Sequence, residues 1–151
     1  MIIHDEVVGV LAVFSDIKCA YHFDHLRVLT TIADQAALAL ENARLYELAT
    51  IDGLTGLFVR RYFDQRLEEE LLRTERYGNN FVLGLADLDD FKHLNDSLGH
   101  QAGDLFLKKC SAILQNNMRD TDLAARYGGE EFALVLPESD SEGALLFADI
   151  I

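Results

Sequence analysis

The chain has 151 residues, half of them apolar and 26% charged, so it can form one ordinary folded domain with a buried core and is not of disordered composition. Its net charge of −13 argues against a broad surface for the phosphate backbone of DNA or RNA, but not against one small phosphorylated ligand held through a cation. Cys19 and Cys110 form no CxxC motif, which fits a reducing cytosol and gives no support to a zinc site. No apolar run approaches the length of a membrane span and the N-terminus lacks a basic leader, so we expect a cytoplasmic chain.

The first 50 residues combine a predicted strand with a long predicted helix. The β-branched apolar run over residues 7–15 predicts a buried strand. Asp24 can cap the helix that follows, and no Pro or Gly interrupts residues 24–50. Small and apolar residues recur along this helix at helical spacing, which suits either pairing in a parallel dimer or packing on the helix's own sheet.

After residues 50–57, where two glycines break the helical pattern, helices and strands alternate. In chain order, the patterns predict a helix in residues 60–80 with Gly78 as a terminator, a strand over residues 81–86, a helix opened by Gly103 and Asp104, a β-hairpin around residues 126–132, and a last helix with a capping box formed by Ser139 and Glu142. Because a hairpin interrupts the alternation, we expect a mixed sheet with helices on it, not a purely parallel one.

Two acidic stretches carry the candidate chemistry. The strand over residues 81–86 ends in Asp87, Asp89 and Asp90, and the hairpin tip "GGEE" places two glutamates after two glycines. Mg²⁺ prefers hard oxygen ligands and usually takes one or two carboxylates together with waters and substrate phosphates. Glycines at the tip would let a ligand approach the backbone closely. On the residues alone, a solvated strand end and a solvated hairpin tip remain the alternatives.

Three motifs resemble one known family. "DLDDFKHLNDSLGHQAGD" (residues 87–104) and "RDTDLAARYGGEEF" (residues 119–132) resemble the GGDEF-type diguanylate cyclases of bacteria, here as a GGEEF variant. "DGLTGLFVRRYF" (residues 52–63) resembles the opening motif of that domain, and the resemblance extends over residues 50–151. Residues 1–49 are similar to the last strand and closing helix of a GAF-type sensor domain.

The resemblance implies a fold and an activity. The fold would be α+β, a nucleotide-cyclase or polymerase-palm-like mixed sheet with flanking helices, preceded by a strand and a long helix from the GAF-like domain. The activity would be that of a nucleotidyltransferase, which joins two GTP molecules into cyclic di-GMP and releases two pyrophosphates with the help of Mg²⁺ or Mn²⁺. Divalent metals suit this chemistry because they neutralise charge on the phosphate oxygens and orient the leaving group.

The resemblance also implies the site residues. The carboxylates of Asp87 and Glu130 and the backbone carbonyl of Leu88 would hold the metal, and Glu131 is the candidate base at the attacking 3′-hydroxyl. The implied substrate contacts are Asn95 and Asp104 at the guanine edge, His100 close to the nucleotide, Phe91 and Lys92 at the phosphates, and Gly128 and Gly129 leaving room for the nucleotide.

Regulation and assembly are implied as well. Arg119 and Asp122 form an RxxD motif six residues before Gly128, matching the product-binding inhibitory site of the family. On the residues alone, a surface ion pair at a helix end is the alternative. Because each cyclase domain holds one GTP, ring closure needs two domains, and the helix over residues 26–48 would pair them in a homodimer and carry the signal from the sensor.

Two departures from the family pattern qualify these expectations. Val59 stands where the opening motif usually carries Asn, which affects local hydrogen bonding. The family domain continues well past Ile151 and the sensor part looks incomplete, so we expect a C-terminally truncated piece of a longer protein with weak GTP binding and little turnover. The alternative of a different class is a non-catalytic module that binds GTP or cyclic di-GMP and signals by contact. The intact GGEEF turn favours the enzyme.

Overall fold

A computed structural model describes residues 1–3 and 6–151 of the protein, with two units at Met1–Leu48 and Ala49–Ile151. The first unit begins with the antiparallel strands β1 (Ile2–Ile3) and β2 (Glu6–Val7). Helix α1 (Phe23–Thr50) then covers the stretch in which an uninterrupted helix is predicted. Within the described ranges, no helix combines the length and the apolar composition that a membrane span requires.

The prediction of a strand over residues 7–15 is wrong. β2 ends at Val7, and the apolar residues after it are exposed, with 86% of Val10 and 89% of Phe14 accessible to solvent. A strand needs a partner for its backbone groups and cover for its faces, and β1 offers only two residues of pairing. The β-branched composition of this run therefore does not determine its conformation.

The second unit is built on a mixed sheet, as the sequence predicts. Its strands are β3 (Phe58–Val59), β4 (Phe81–Asp87), β5 (Leu123–Arg126) and β6 (Glu131–Pro137), in the order β3-β5-β6-β4. β5 and β6 form the predicted hairpin, and β6 also pairs antiparallel with β4. β3 runs parallel to β5 and is missed by the sequence analysis, because two residues are too short to show an alternating pattern.

Four helices of the second unit lie within the described residues: α2 (Arg60–Tyr77), α3 (Phe91–Leu98), α4 (His100–Asn117) and α5 (Ser141–Ala148). α2 ends as predicted at Gly78, whose φ of 73° is left-handed and whose N–H donates to the Thr74 carbonyl at 2.8 Å. α4 begins at His100, earlier than predicted, and α3 is not predicted at all. The predicted capping box of α5 is also wrong, because Asp140 is the N-cap and accepts from Gly143 N–H at 2.9 Å, while Ser139 Oγ donates to a carbonyl behind it.

The core lies on both faces of β6. Phe132 and Leu134 belong to one buried cluster together with Leu107 and Leu114 of α4. Ala133 and Val135 belong to the other, which includes Phe63 of α2. Since alternate residues of a strand point to opposite faces, α2 and α4 cover the two faces of the sheet. Burial on both faces explains why β6 reads as a continuous apolar run.

Candidate functional site

The sheet brings the two acidic stretches together at one edge. In the antiparallel pairing of β4 with β6, Asp87 lies directly opposite Glu131. Cα atoms of such opposed residues are about 4.5–5.5 Å apart. Asp87 is the last residue of β4 and is exposed, and Glu130 immediately precedes Glu131 in the hairpin turn. The end of β4 and the GGEE turn (residues 128–131) therefore lie side by side at one edge of the sheet.

The turn is closed by backbone hydrogen bonds, and it contains two glycines. The N–H groups of Tyr127 and Gly128 both donate to the Glu131 carbonyl, at 2.8 and 3.3 Å. A Cβ on Gly128 would lie 3.2 Å from Glu131 Cδ and still closer to its carboxylate oxygen, so a side chain there would displace the end of the Glu131 side chain. At Gly129 no heavy atom would come within 4 Å of an added Cβ, which leaves open space beside the backbone.

The donor set at this edge fits a hard divalent cation. Asp87 and Glu130 supply carboxylate oxygens, and Leu88, which packs against the core, follows Asp87 with its backbone carbonyl. Magnesium and manganese accept such oxygen ligands. Over residues 1–3 and 6–151, no group of three or more His, Cys, Asp or Glu side chains is placed to hold a metal. The predicted site asks for only two carboxylates and one carbonyl.

The helices α3 and α4 place the residues predicted to contact the nucleotide. Phe91 opens α3 and packs against the core, and Asn95 lies half-buried one turn later. Gly103 of α4 faces both, since a Cβ there would lie 3.1 Å from Phe91 Cζ and closer still to the Asn95 amide. The remaining predicted contacts in this region, Lys92, His100 and Asp104, are exposed. The packing role of Gly103 is not predicted from the sequence, although a glycine inside a helical pattern often has a packing reason.

The RxxD motif lies between α4 and β5. Two hydrogen bonds join Arg119 and Asp122, and both are donated by backbone N–H groups. Arg119 N–H donates to Asp122 Oδ2 at 2.8 Å, and Asp122 N–H donates to the Arg119 carbonyl at 3.0 Å. Among the described residues, no ion pair joins the two side chains, and Asp122 Oδ1 is buried without a hydrogen-bond partner. Arg119 lines a polar cavity of about 510 Å³ together with Gly78, Glu138 and Asp140.

The opening loop (residues 50–57) contacts β5, where Asp52 lies 3.5 Å from Arg126. Asp52 Oδ1 accepts hydrogen bonds from Thr55 N–H at 2.9 Å and from Thr55 Oγ1 at 2.7 Å. Partial burial acts to raise the pKa of Asp52, but the Thr55 side-chain and backbone bonds and the Arg126 guanidinium together hold that pKa below its ordinary value. Asp52 and Arg126 are absent from the predicted site, although Asp three residues before Thr is a typical turn signal.

Comparison with known proteins identifies relatives over the whole second unit. Residues 49–151 match the family described as "Diguanylate cyclase, GGDEF domain". Diguanylate cyclase A of Treponema denticola is 32% identical over 152 residues, which cover 97% of this chain and 41% of that protein. Diguanylate cyclase DgcP of Pseudomonas aeruginosa is 43% identical over 103 residues, which cover 68% of this chain and 15% of that protein.

A solved structure shows the same architecture. The coiled coil and GGDEF domain of DgcB from Caulobacter crescentus, in complex with c-di-GMP, superposes with a TM-score of 0.79 at 29% identity and covers 85% of this chain and 68% of that chain. This chain spans less than half the length of the two curated relatives above. The family match includes the mixed sheet, the strand end at Asp87 and the GGEEF turn, so the chain belongs to the GGDEF-domain family of diguanylate cyclases.

Proposed function

We propose that this chain carries a diguanylate cyclase domain that condenses two GTP molecules into cyclic di-GMP and releases two pyrophosphates. The observation that carries the proposal is the register of β4 and β6, which sets Asp87 opposite Glu131, the residue that follows Glu130. Asp87 at the strand end and Glu130 in the hairpin turn are 43 residues apart in sequence, and the pairing brings their two segments to one edge of the sheet. Membership of the diguanylate cyclase family supports the assignment of this edge to GTP.

The metal would be held by the carboxylates of Asp87 and Glu130 and the carbonyl of Leu88. When bound, Mg²⁺ or Mn²⁺ neutralises charge on the phosphate oxygens and orients the leaving pyrophosphate. The chain itself leaves open space beside Gly129, where an added Cβ would meet no heavy atom within 4 Å, whereas the Glu131 side chain fills the space beside Gly128. Lys92, exposed at the start of α3, would add a positive charge for the phosphates.

The guanine base would be read by α3 and α4. Asn95 can donate and accept, and Asp104 can accept from guanine N–H groups, with His100 close to the nucleotide. Phe91, like Lys92, would approach the phosphates. The contact of Asn95 with Gly103 restricts where its amide can lie. Glu131 would act as the base at the 3′-hydroxyl of the attacking GTP, since it begins β6 with an exposed carboxylate opposite Asp87.

Product inhibition would use Arg119 and Asp122. Arg119 lines a polar cavity, and Asp122 keeps one buried carboxylate oxygen that has no hydrogen-bond partner in the described part of the chain. An arginine fork suits a guanine edge or a phosphate. We expect Arg119→Ala to relieve inhibition by added cyclic di-GMP without lowering the initial rate.

Two cyclase domains would have to meet for ring closure, and α1 would pair them. Along this helix, Leu26, Ile32, Leu40 and Leu45 are each at least 50% exposed, so their apolar surface is available for a second copy. The related DgcB fragment contains a coiled coil beside its GGDEF domain. Residues 1–49 would be the end of a GAF-like sensor and residues 50–151 the cyclase domain. Sedimentation that gives a strict monomer at high concentration would contradict this pairing.

The catalytic proposal is tested with GTP, Mg²⁺ and four forms of the chain, with the nucleotide products separated by chromatography. We expect slow, metal-dependent formation of cyclic di-GMP that Asp87→Asn and Glu130→Gln abolish. Asp90→Asn is the matched control, because Asp90 is exposed, makes no predicted contact and has a φ of 55° that Asn tolerates. GTP binding without any product would instead support the non-catalytic module, and equal loss of activity in Asp90→Asn would contradict the assigned site.

A further inference from the structure

The side chain of Arg126 folds across the GGEE turn and binds its backbone. Arg126 Nε and Nη2 donate to the same acceptor, the Gly129 carbonyl, at 3.0 and 2.8 Å. Two donors of the planar guanidinium therefore hold one peptide unit, and this unit leads directly into Glu130. Without such a bond the glycine pair would leave the backbone before Glu130 with wide conformational freedom.

The third nitrogen of the same guanidinium faces the opening loop. Arg126 Nη1 lies 3.5 Å from Asp52 Oδ1, and the two side chains are only 22% and 23% exposed. Asp52 is itself held in place, because its N–H donates to the Leu57 carbonyl at 2.8 Å and its carboxylate accepts two bonds from Thr55. The loop thus offers Arg126 a fixed negative group and orients its fork toward the turn.

The neighbouring residue is held as well. The ring of Tyr127 has the Arg60 guanidinium over it, at 4.2 Å from the ring centroid, and the fully buried Phe63 ring against its edge at 5.9 Å. Both partners belong to α2. The side chains of two successive residues before the glycine pair, Arg126 and Tyr127, are therefore held by contacts. The bond from Arg126 to the Gly129 carbonyl is the one nearest to Glu130.

We propose that Arg126 is a positioning residue for the candidate metal site: by holding the Gly129 carbonyl, oriented by Asp52, it sets where the Glu130 carboxylate meets a divalent cation. This inference rests on the proposed function, since it assigns Glu130 to the metal. It adds that Asp52 of the opening loop, which is not among the proposed metal ligands or nucleotide contacts, affects the metal affinity of the site through Arg126. Groups that orient a ligand of a metal commonly change its affinity by about 10–100-fold when they are replaced.

Two variants separate the parts of this arrangement. Arg126→Lys keeps the positive charge, but its single ammonium cannot give two bonds to one carbonyl while also facing Asp52. Asp52→Asn keeps the oxygen that accepts from Thr55 and removes the charge that faces Arg126. Arg73→Lys is the matched control, because Arg73 of α2 pairs with the carboxylate of Glu138 at 3.5 Å and makes no contact with the turn.

The first measurement is amide hydrogen exchange in the ligand-free 151-residue chain. We expect Arg126→Lys to speed exchange at the N–H groups of Tyr127 and Gly128, which close the turn, while the amides of Ala133 and Val135 in β6 stay as protected as before. The second is Mn²⁺ affinity in the presence of a non-hydrolysable GTP analogue, read by the paramagnetic resonance of free Mn²⁺. We expect it to weaken about tenfold in Arg126→Lys, less in Asp52→Asn and not at all in Arg73→Lys.

Three results would overturn the proposal. They are turn amides that exchange at the original rate in Arg126→Lys, a loss of protection that spreads equally through β6, and Mn²⁺ affinity that stays unchanged while the turn loosens. If the original chain itself fails to bind Mn²⁺ with the nucleotide analogue, the proposed function fails. The exchange measurement still decides in that case whether Arg126 orders the turn, so the two failures are distinguishable.

Discussion

Gly103→Ala tests whether the close approach of α3 and α4 shapes the candidate guanine site. Gly103 is buried in α4, and an added Cβ would lie 2.9 Å from Asn95 Cγ and 3.1 Å from Phe91 Cζ. Real Cβ atoms essentially never show contacts under 3.0 Å, so the side chain of Asn95 has to leave its present position. The substitution therefore acts on a predicted nucleotide contact without changing that residue.

The expected magnitude is the difference between two opposing effects. Replacing Gly by Ala inside a helix stabilises it by about 1 kcal/mol. Crowding a packed site costs about 1–3 kcal/mol. We expect the free energy of unfolding to fall by about 1 kcal/mol in a urea titration. We also expect a GTP analogue to bind about fivefold more weakly by calorimetry, because a displaced Asn95 loses a hydrogen bond whose net contribution is about 1 kcal/mol.

A second glycine and a second background make this prediction refutable. Gly143→Ala in α5 is the control, since the nearest atom to its added Cβ, Asp140 Oδ1, is at an ordinary 3.4 Å, and we expect it to stabilise the chain. In the Asn95→Ala background, Gly103→Ala should lose most of its cost, because the two nearest atoms, which belong to the Asn95 amide, are gone and only Phe91 Cζ remains close. A cost that is the same in both backgrounds would refute the contact argument, and so would a Gly103→Ala variant as stable as Gly143→Ala.

Three further predictions concern the core, the thiols and acid stability. In α4, Leu107→Ala should cost about 2–5 kcal/mol in a urea titration, whereas Ser111→Ala should stay within about 1 kcal/mol, because the buried hydroxyl donates only to a carbonyl of its own helix. Exposed Cys19 should react with iodoacetamide before Cys110, since burial raises the pKa of the Cys110 thiol. Asp52→Asn should be less stable than the original chain at pH 7. That difference should begin to shrink below about pH 4, near the ordinary pKa of an Asp, and vanish as the pH falls through the lowered pKa of Asp52.

Each of these has a contradicting result. Equal costs for the two α4 substitutions would mean that the hydroxyl makes a contact beyond its helix. Simultaneous alkylation of both thiols would mean that Cys110 is not shielded in solution. For Asp52→Asn, a stability difference that persists or grows at low pH would have the wrong sign, because the ionised carboxylate stabilises the fold only above its folded pKa.

Local patterns predict the elements that carry their own boundaries. α2 shows an apolar spacing of helical period and a terminal glycine with φ 73°, and the hairpin has two apolar runs around a glycine-containing turn. The run over residues 7–15 has the composition of a strand but no partner to pair with, so the same kind of reasoning fails there. Strand formation depends on what lies beside the strand, and composition does not report that.

The short helix α3 shows a different limit. Its eight residues lie between Asp90, with φ 55°, and Gly99, with φ 83°, so both ends are set by unusual backbone conformations. An Asp residue can adopt the left-handed region, but its presence in the sequence does not predict that conformation. The residue types of this stretch indicate a functional motif. The same polar side chains leave few apolar residues from which a helix can be predicted.

The missed strand β3 and the missed role of Arg126 have one cause. The parallel pairing of β3 with β5 sets Val59 opposite Arg126, and this brings the opening loop, with Asp52, to the hairpin that ends in the GGEE turn. The two partners of the ion pair are 74 residues apart, and the strand that joins their surroundings is two residues long. Chemical residue types can be recognised in a sequence because they are local, whereas the groups that orient them depend on pairings that leave almost no local pattern. A family motif therefore predicts which carboxylates are candidates for the metal, and the register of a two-residue strand decides what holds them.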